Sequence, residues 1–235
     1  MGDDLADERR QNRVYLGCGL NPVRGWENVD KSFGPAIARF PLTKRALHSI
    51  GVLNDRQATV TWSGEPVHRL DVRRHWPWPP ETLDDIYCDR MVRFFTPEQF
   101  TPILRNCYRS LRPRGEMRIT SHDVEEKVRT YLSKVENHDP QAANWLNSAI
   151  EYGHEPTGRT INQSILRLFP RLEHRSAWLW DYGSLAAALE NVGFVSVKRH
   201  QRTEGVFPDL KALEENLPPG ELVVQAAKPP LNSAS

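Results

Sequence analysis

The chain has 235 residues, of which 39% are hydrophobic and 26% charged, and its 31 basic and 30 acidic residues leave a formal net charge of +1. This composition is typical of a folded globular protein with a substantial core, and it gives no indication of a nucleic-acid or membrane partner. No apolar run approaches the roughly 20 residues of a membrane span, and the charged start MGDDLADERR does not resemble a signal peptide.

Apolar runs alternate with helical patterns along the chain, which predicts an α/β fold with a mostly parallel sheet. We expect a flexible N-terminus at 1–11, a single domain over 12–228 and a flexible tail at 229–235. The predicted strands are Arg13–Leu16, Glu27–Asp30, His68–Val72, Leu83–Cys88, Glu116–Thr120, Phe194–His200 and Glu221–Ala227.

Two helices have clear end signals. Thr96, Pro97 and Gln99 form a capping-box pattern before an apolar face that recurs at helical spacing as far as Leu111. Asp181 is the predicted cap of a later helix that ends at Gly193. Residues 32–67 are irregular, and the long, partly helical stretch 124–180 is interpreted as an inserted helical cap.

The three cysteines, Cys18, Cys88 and Cys107, are odd in number and lack metal-ligand spacing. We interpret them as reduced, buried thiols of a cytoplasmic protein.

The segment Gly17-Cys18-Gly19 follows the first strand, where a glycine turn lets a ligand approach the backbone. A dinucleotide site would have a third glycine at position 22 and an acid roughly 20 residues further on. Position 22 is Pro22, and the acid, Asp30, comes sooner. This pattern suits an adenosyl ligand without a pyrophosphate; the alternative is that Asp30 only caps a loop.

Five segments in order resemble class I S-adenosylmethionine-dependent methyltransferases, most closely a methyltransferase type 11-like subgroup. They are YLGCG with GWENVD, RLDVRRHWPWPPETLDDIYCDRMVRFF, LRNCYRSLRPRGEMRIT, DYGSLAAALENVGFVSVKR and ELVVQAAKP. The resemblance implies a Rossmann-like doubly wound sheet of about seven mostly parallel strands with an inserted helical cap. It also implies an enzyme that uses S-adenosylmethionine and releases S-adenosylhomocysteine.

The resemblance further implies a cofactor site. Its glycines would admit the methionine part of the ligand, Asp30 would hold the ribose hydroxyls, and Asp71 would accept from the adenine amino group. For Asp71, a solvated loop acid is the alternative. The implied cofactor residues are Gly17, Cys18, Gly19, Asp30, Asp71, Val72, Cys88 and Asp89.

The chain departs from the family after the fourth strand, where the family's HVLEH is replaced by Arg90-Met91-Val92-Arg93-Phe94. Arg90 can bind an acidic acceptor, because a guanidinium matches carboxylate or phosphate geometry. The alternative is that Arg90 and Arg93 are exposed on a helix.

A hydroxyl or amine acceptor needs a base to take its proton. The predicted catalytic candidates are His122, Asp123 and His154, and the predicted substrate-binding residues are Arg90, Tyr152, His174 and Trp178. For each histidine a surface or structural role is the alternative. No cluster has metal-ligand spacing, so no metal is predicted.

Trp76 and Trp78 lie among prolines in HWPWPP, where they either flank adenine or pack under the sheet edge. The predicted function is methyl transfer to an oxygen or nitrogen of a small-molecule or saccharide-type acceptor held under the cap. The alternative is a methyltransferase-like protein that binds the nucleoside ligand or a partner without transferring methyl.

Overall fold

The computed structural model describes residues 12–31, 42, 45, 48–49, 64–150 and 176–231. The strands are β1 (Arg13–Leu16), β2 (Glu27–Asp30), β3 (Val67–Arg69), β4 (Leu83–Asp89), β5 (Leu111–His122), β6 (Val195–His200) and β7 (Glu221–Ala227). The helices are α1 (Pro97–Ser110), α2 (Val124–Glu136), α3 (Ala142–Ala149), α4 (Tyr182–Glu190) and the short α5 (Leu210–Leu213). A 3₁₀ turn covers Val92–Phe94.

The described strands form one seven-stranded sheet in the order β3-β2-β1-β4-β5-β7-β6. The pairs from β3 to β5 are parallel, whereas β7 runs antiparallel to both β5 and β6. The sheet is therefore the mostly parallel α/β sheet that the sequence predicts. The chain extends outward from β1 in one direction to β3 and then crosses to β4, so the order reverses between β1 and β4. In open α/β sheets ligands bind outside the carboxyl ends of the strands at such a reversal.

Helices α1 and α4 cover the first face of the sheet. Leu104 of α1 and Leu189 of α4 are fully buried in one core with strand residues such as Ile86 and Ile119. Both predicted helix starts are confirmed: the Thr96 amide donates to Gln99 Oε1 at 3.3 Å, and Asp181 Oδ1 accepts from the Ser184 amide at 2.7 Å. Helix α1 ends at Ser110, within one residue of the predicted apolar face. The start predicted for the next strand is wrong, because β5 begins at once with Leu111, five residues before the predicted Glu116.

The second face of the sheet is covered by the segment Gln201–Leu217, which we call the strap. Residues 17–26, which connect β1 to β2, contain no helix that covers this face. Instead, Phe207 of the strap stacks on Trp26 with ring centroids 6.0 Å apart, and Asp209 Oδ2 accepts from the Trp26 indole at 3.0 Å. The strap, which lies between β6 and β7, thereby packs on the segment that leads into β2.

A row of large side chains crosses the second face beneath the strap. The strand registers align Tyr15, Tyr87, Arg118 and Gln225 across β1, β4, β5 and β7. The guanidinium of Arg118 is fully buried, with Nε 2.6 Å from Glu214 Oε1 of the strap. It also donates to Gln225 Oε1 at 2.9 Å and to the Glu204 carbonyl at 3.0 Å. A charged pair between sheet and strap thus lies inside the protein.

Helices α2 and α3 follow β5 within the predicted cap region, where the sequence favours helix. Helix α2 has no buried residues, and Val128, Leu132 and Val135 are between 42% and 51% exposed on it. The remainder of the predicted cap, 151–175, lies outside the described residues, as do most of 32–63, the first 11 residues and the last four.

All three cysteines are free and buried, as the sequence predicts. Burial raises the pKa of Cys88 to about 12, and it also raises that of Cys107, so neither thiol is poised as a nucleophile. None of the helices in the described part of the chain has the length and apolar character needed to cross a bilayer.

Asp85 makes the stability of the fold depend on pH. It lies near the start of β4 with Oδ2 3.2 Å from Arg13 Nε, and burial raises the pKa of its carboxyl to about 6 in spite of the arginine. The native state binds the carboxyl proton of Asp85 more tightly than the unfolded chain does. Asp85 therefore stabilises the fold at pH 4, and this contribution to the free energy of unfolding declines as the pH rises through 6.

We therefore expect the wild type to lose about 1–3 kcal/mol of stability between pH 4 and pH 7 relative to Asp85→Asn, which cannot titrate. Urea unfolding of both proteins at several pH values measures the difference. A difference that stays flat, or that grows in favour of the wild type as the pH rises, contradicts this assignment.

Candidate functional site

The candidate site lies at the carboxyl edge of the sheet, where β1, β2, β4 and β5 end side by side. Gly17 follows β1, Asp30 ends β2 and Asp89 ends β4, while His122 ends β5. The reversal of strand order between β1 and β4 falls within this group. The fold thus brings together four residues that the sequence predicts to be functional.

The turn after β1 has no room for a side chain. Gly17 has a φ of +77°, and a Cβ on it would lie 2.9 Å from the Asp89 carbonyl oxygen and 3.1 Å from Met91 Cβ. The amide of Gly17 donates to the Val29 carbonyl at 2.8 Å, which ties the turn to β2. The backbone of the turn therefore packs directly against the end of β4, with no side chain between the two segments.

Asp30 links the glycine turn to β2. Its Oδ2 accepts from the Gly19 amide at 2.9 Å, and Gly19 also has a positive φ of +53°. This contact orients the Asp30 carboxylate beside the glycine turn. The Cys18 side chain between the two glycines is buried, so only its backbone can face a ligand.

Asp71 follows β3 and is surrounded by basic side chains. Its two oxygens accept from Arg73 Nε and Nη2 at 2.9 Å each, and Lys31 Nζ lies 3.1 Å from Oδ2. The hydrogen bonds from Arg73 hold the pKa of Asp71 far below its usual range. The adjacent Val72 is buried. Asp71 is thus an ordered, paired carboxylate rather than a solvated loop acid.

Asp89 is a buried carboxylate at the end of β4. Its Oδ1 accepts from the Thr120 hydroxyl at 2.7 Å, and Arg90 Nε and Nη2 donate to its two oxygens at 3.0 and 3.1 Å. The Tyr15 hydroxyl lies 3.4 Å from Oδ2, and burial, followed by the charge of Asp89, raises the pKa of Tyr15. Cys88 beside it is fully buried. The carboxylate of Asp89 is therefore used mainly to hold its neighbours in place.

The alternative that Arg90 is exposed on a helix is wrong. Arg90 has a φ of +45°, precedes the 3₁₀ turn and donates its amide to the Thr120 carbonyl at 3.0 Å. A left-handed backbone at a residue other than glycine costs energy and is found preferentially at functional sites. The ion pair with Asp89 explains how the surrounding structure holds this conformation.

His122 is held between two charged side chains, those of Glu221 and Arg93. Its Nδ1 lies 2.8 and 2.9 Å from the two oxygens of Glu221, the residue directly opposite it on β7. Its Nε2 contacts Nη1 of Arg93, and Lys127 Nζ lies 3.5 Å from Glu221. The sequence prediction includes His122 but misses Glu221, which is 99 positions away along the chain.

Asp123 makes the contacts of a helix cap. Its carboxylate is fully buried, accepts from the Glu125 amide at 3.1 Å and pairs with Arg199. Burial raises its pKa, and Arg199 opposes that rise. These contacts favour a structural role at the start of α2 over proton transfer.

Of the predicted substrate-binding residues in the cap, Trp178 is described and is 43% exposed, with its amide donating to the Arg93 carbonyl at 3.1 Å. Tyr152, His154 and His174 lie outside the described residues. Among the residues that are described, no group of three or more His, Cys, Asp and Glu side chains is arranged to hold a metal ion.

Trp76 and Trp78 pack at the opposite edge of the sheet. Their indole groups donate to Ser110 Oγ at 2.7 Å and to Glu27 Oε2 at 2.8 Å, and both partners lie at the amino-terminal edge. The packing alternative is therefore correct, and these rings do not flank a nucleoside at the Gly17 turn.

Comparisons with known proteins give limited matches. A scan against models of protein families finds no match. Among curated proteins, a glycerol kinase of Leifsonia xyli subsp. xyli is 31% identical over 87 residues, which are 36% of this chain and 16% of that protein. The match thus spans less than a fifth of that relative.

Solved structures with a similar arrangement include S-adenosylmethionine-dependent methyltransferases. The apo form of SibL is 16% identical with a TM-score of 0.43, covering 96% of this chain and 53% of SibL. A methyltransferase of Archaeoglobus fulgidus is 13% identical with a TM-score of 0.44, covering 93% of this chain and 86% of its own. Human N-acetylserotonin methyltransferase in complex with S-adenosylmethionine is 12% identical with a TM-score of 0.44. The match covers 92% of this chain and 47% of the human protein. This chain spans about half the length of the first and third of these proteins.

Proposed function

We propose that the protein is an S-adenosylmethionine-dependent methyltransferase that acts on a hydroxyl or amine of a small-molecule or saccharide-type acceptor. The observation that carries the proposal is the Gly17 turn. At the reversal of strand order, the backbone leaves no room for a Cβ, and Asp30 lies beside the turn at the tip of β2. The close packing of Gly17 on the end of β4 fixes the turn beside Asp30, at the edge of the sheet where open α/β folds bind nucleoside ligands.

The connection from β1 to β2 favours an adenosyl ligand over a dinucleotide. A pyrophosphate is typically bound at the amino terminus of a helix that follows the glycine turn. Residues 17–26 form no such helix, and position 22 is Pro22. Asp30 can still accept hydrogen bonds from two ribose hydroxyls, which needs no helix.

The residues that would hold the cofactor follow the edge of the sheet. Gly17 and Gly19 would admit its methionine part, Asp30 would bind the ribose, and Asp71 with the Val72 amide would face the adenine. The backbone at Cys18, Cys88 and Asp89 would close the site. The bound cofactor supplies an activated methyl group on a sulfonium, so the protein mainly has to orient the acceptor and accept its proton.

On the acceptor side, the described candidates are Arg90, His122 and Trp178. Arg90 directly follows β4 and His122 ends the neighbouring strand β5, on the side of the Gly17 turn away from Asp30. The three buried cysteines without disulfides support a cytoplasmic location, because such thiols persist in reducing compartments.

A second candidate function is ligand binding without methyl transfer. Two contacts after β4, where the methyltransferase family has HVLEH, favour it. Arg90 is paired with Asp89 and Arg93 contacts His122, so these side chains are bound to other residues of the protein. Both functions require the nucleoside site, so turnover separates them.

Calorimetry with S-adenosylmethionine and S-adenosylhomocysteine tests the nucleoside site. We expect both to bind, and Asp30→Ala to weaken binding by about 10- to 150-fold, the loss of charged hydrogen bonds worth about 1.5–3 kcal/mol. Asp85→Asn, at the opposite edge of the sheet, is the control and should bind like the wild type. Absence of binding to the wild type, or equal binding by Asp30→Ala, contradicts the proposed site.

Turnover is measured by release of S-adenosylhomocysteine with a panel of sugars, phenols and amines. Release of S-adenosylhomocysteine that depends on an added acceptor supports methyl transfer. Tight binding without release on any acceptor supports the second candidate function instead.

A further inference from the structure

The environment of His122 fixes which of its ring nitrogens carries a proton. A guanidinium has only donors, so Arg93 Nη1 can contact Nε2 favourably only when Nε2 has a free lone pair. Glu221 accepts on the other side, at 2.8 and 2.9 Å from Nδ1. Both contacts are favourable for a neutral ring that carries its proton on Nδ1 and its basic lone pair on Nε2.

The contacts of His122 extend along the carboxyl edge of the sheet on which the candidate ligand site lies. Glu221 lies on β7, His122 on β5, and Arg93 in the turn after β4, so the chain of contacts runs along the edge toward β1 and Gly17. His122 also shares a face of β5 with Thr120, which binds Asp89 at the end of β4.

Glu221 is an internal group rather than a surface one. Its side chain is 4% exposed and contacts His122 and Lys127, and its place opposite His122 is set by the antiparallel register of β5 and β7. A buried carboxylate on one ring nitrogen, with the other nitrogen directed at a ligand site, is the arrangement that orients a histidine base and stabilises its protonated form.

We infer that Glu221 is the positioning residue of a His122 general base, and that the acceptor must displace Arg93 from Nε2 before its proton can be taken. The inference rests on the proposed methyl transfer. The acceptor O–H or N–H bond breaks and its proton goes to Nε2, while the acceptor lone pair forms the bond to the methyl carbon. The electron pair of the broken C–S bond stays on sulfur, and the imidazolium is balanced by Glu221.

The protonation state is tested without any acceptor, by long-range ¹H–¹⁵N NMR of the full-length protein with ¹⁵N-labelled histidine at pH 7. Comparison with His122→Gln assigns the signals. We expect a neutral Nδ1–H ring in the wild type and a larger protonated fraction in Arg93→Ala, because the positive charge at Nε2 is then removed while Glu221 stays at Nδ1, with Lys127 and Arg90 near it in both proteins. Arg93→Ala with Glu221→Gln should return the ring to the neutral form. An Nε2–H tautomer in the wild type, or no change in Arg93→Ala, overturns the inference.

Kinetics with an acceptor from the panel test the catalytic role. We expect His122→Gln to lower kcat by about 10²–10⁴-fold. Glu221→Gln should lower kcat by about 10–100-fold and shift its pH profile, with KM for S-adenosylmethionine unchanged. Glu125→Gln, a half-exposed carboxylate in the first turn of α2, is the matched control and should retain wild-type kcat and pH profile. A Glu221→Gln enzyme with wild-type kcat and pH profile overturns the role.

The failure of this inference is distinguishable from that of the proposed function. If S-adenosylhomocysteine does not bind to the wild type, the proposed function is overturned. The tautomer and the pH profile test only the pair of Glu221 and His122.

Discussion

Arg118→Met is expected to lower the free energy of unfolding by about 3–5 kcal/mol, because it leaves the carboxylate of Glu214 buried without its main partner. Both side chains of this pair are 0% exposed and Arg118 Nε lies 2.6 Å from Glu214 Oε1. The substitution also removes the donor that Gln225 and the Glu204 carbonyl share. Each buried acceptor left without a donor adds to the cost.

Arg112→Met is the matched control. Arg112 also lies on β5 and also makes an ion pair of 2.6 Å, with Asp84, but its side chain is 42% exposed. An exposed pair contributes at most about 1 kcal/mol, so this substitution should have a small effect. Urea unfolding monitored by circular dichroism measures both variants.

The double variant Arg118→Met with Glu214→Leu tests whether the cost of Arg118→Met comes from the unpaired carboxylate of Glu214. Replacing both charges with apolar side chains removes the buried, unpaired carboxylate and should recover a large part of the stability. Equal costs for Arg118→Met and Arg112→Met, or a double variant less stable than Arg118→Met, would show that the pair does not hold the strap on the sheet.

Gly17→Ala is expected to reduce stability by about 2–4 kcal/mol and to weaken S-adenosylhomocysteine binding by at least about 100-fold. The new Cβ would lie 2.9 Å from the Asp89 carbonyl oxygen, a backbone atom that cannot rotate away. The turn would have to move away from β4, and with it the surface that the ligand is proposed to contact.

Gly19→Ala separates backbone conformation from steric exclusion. Gly19 also has a positive φ, of +53°, but a Cβ there would meet no atom within 4 Å. Its cost should therefore be limited to the left-handed backbone, about 1–2 kcal/mol. Thermal unfolding and calorimetry with S-adenosylhomocysteine measure both variants. Equal losses of stability in Gly17→Ala and Gly19→Ala would refute the steric argument.

The features that sequence reasoning finds are those with local causes. The strand positions follow from runs of apolar residues, and the starts of α1 and α4 follow from capping residues three positions apart. Gly19 of the glycine turn and Asp30 are 11 positions apart and occur at the ends of adjacent strands. Their proximity therefore needs only the pairing of β1 with β2.

The features that sequence reasoning misses depend on distant parts of the chain. Arg90 resembles an exposed helix residue by its neighbours, but its conformation is fixed by Asp89 and by Thr120, 30 positions away. Arg118 and Glu214 are 96 positions apart, and a charged residue within a strand gives no sign of its partner. HWPWPP carries the same aromatic pattern whether it packs at one edge of the sheet or the other.

An α/β protein with a glycine turn and an acid at the tips of its first two strands follows from local patterns and from the pairing of neighbouring strands. Three further features depend on contacts between distant segments: the strap covers the second face, Asp89 holds Arg90 in a left-handed turn, and Glu221 contacts His122. The last of these depends on the antiparallel register of β7 against β5. A shift of one residue in that register would turn Glu221 to the other face of the sheet, and no local pattern near either residue specifies it.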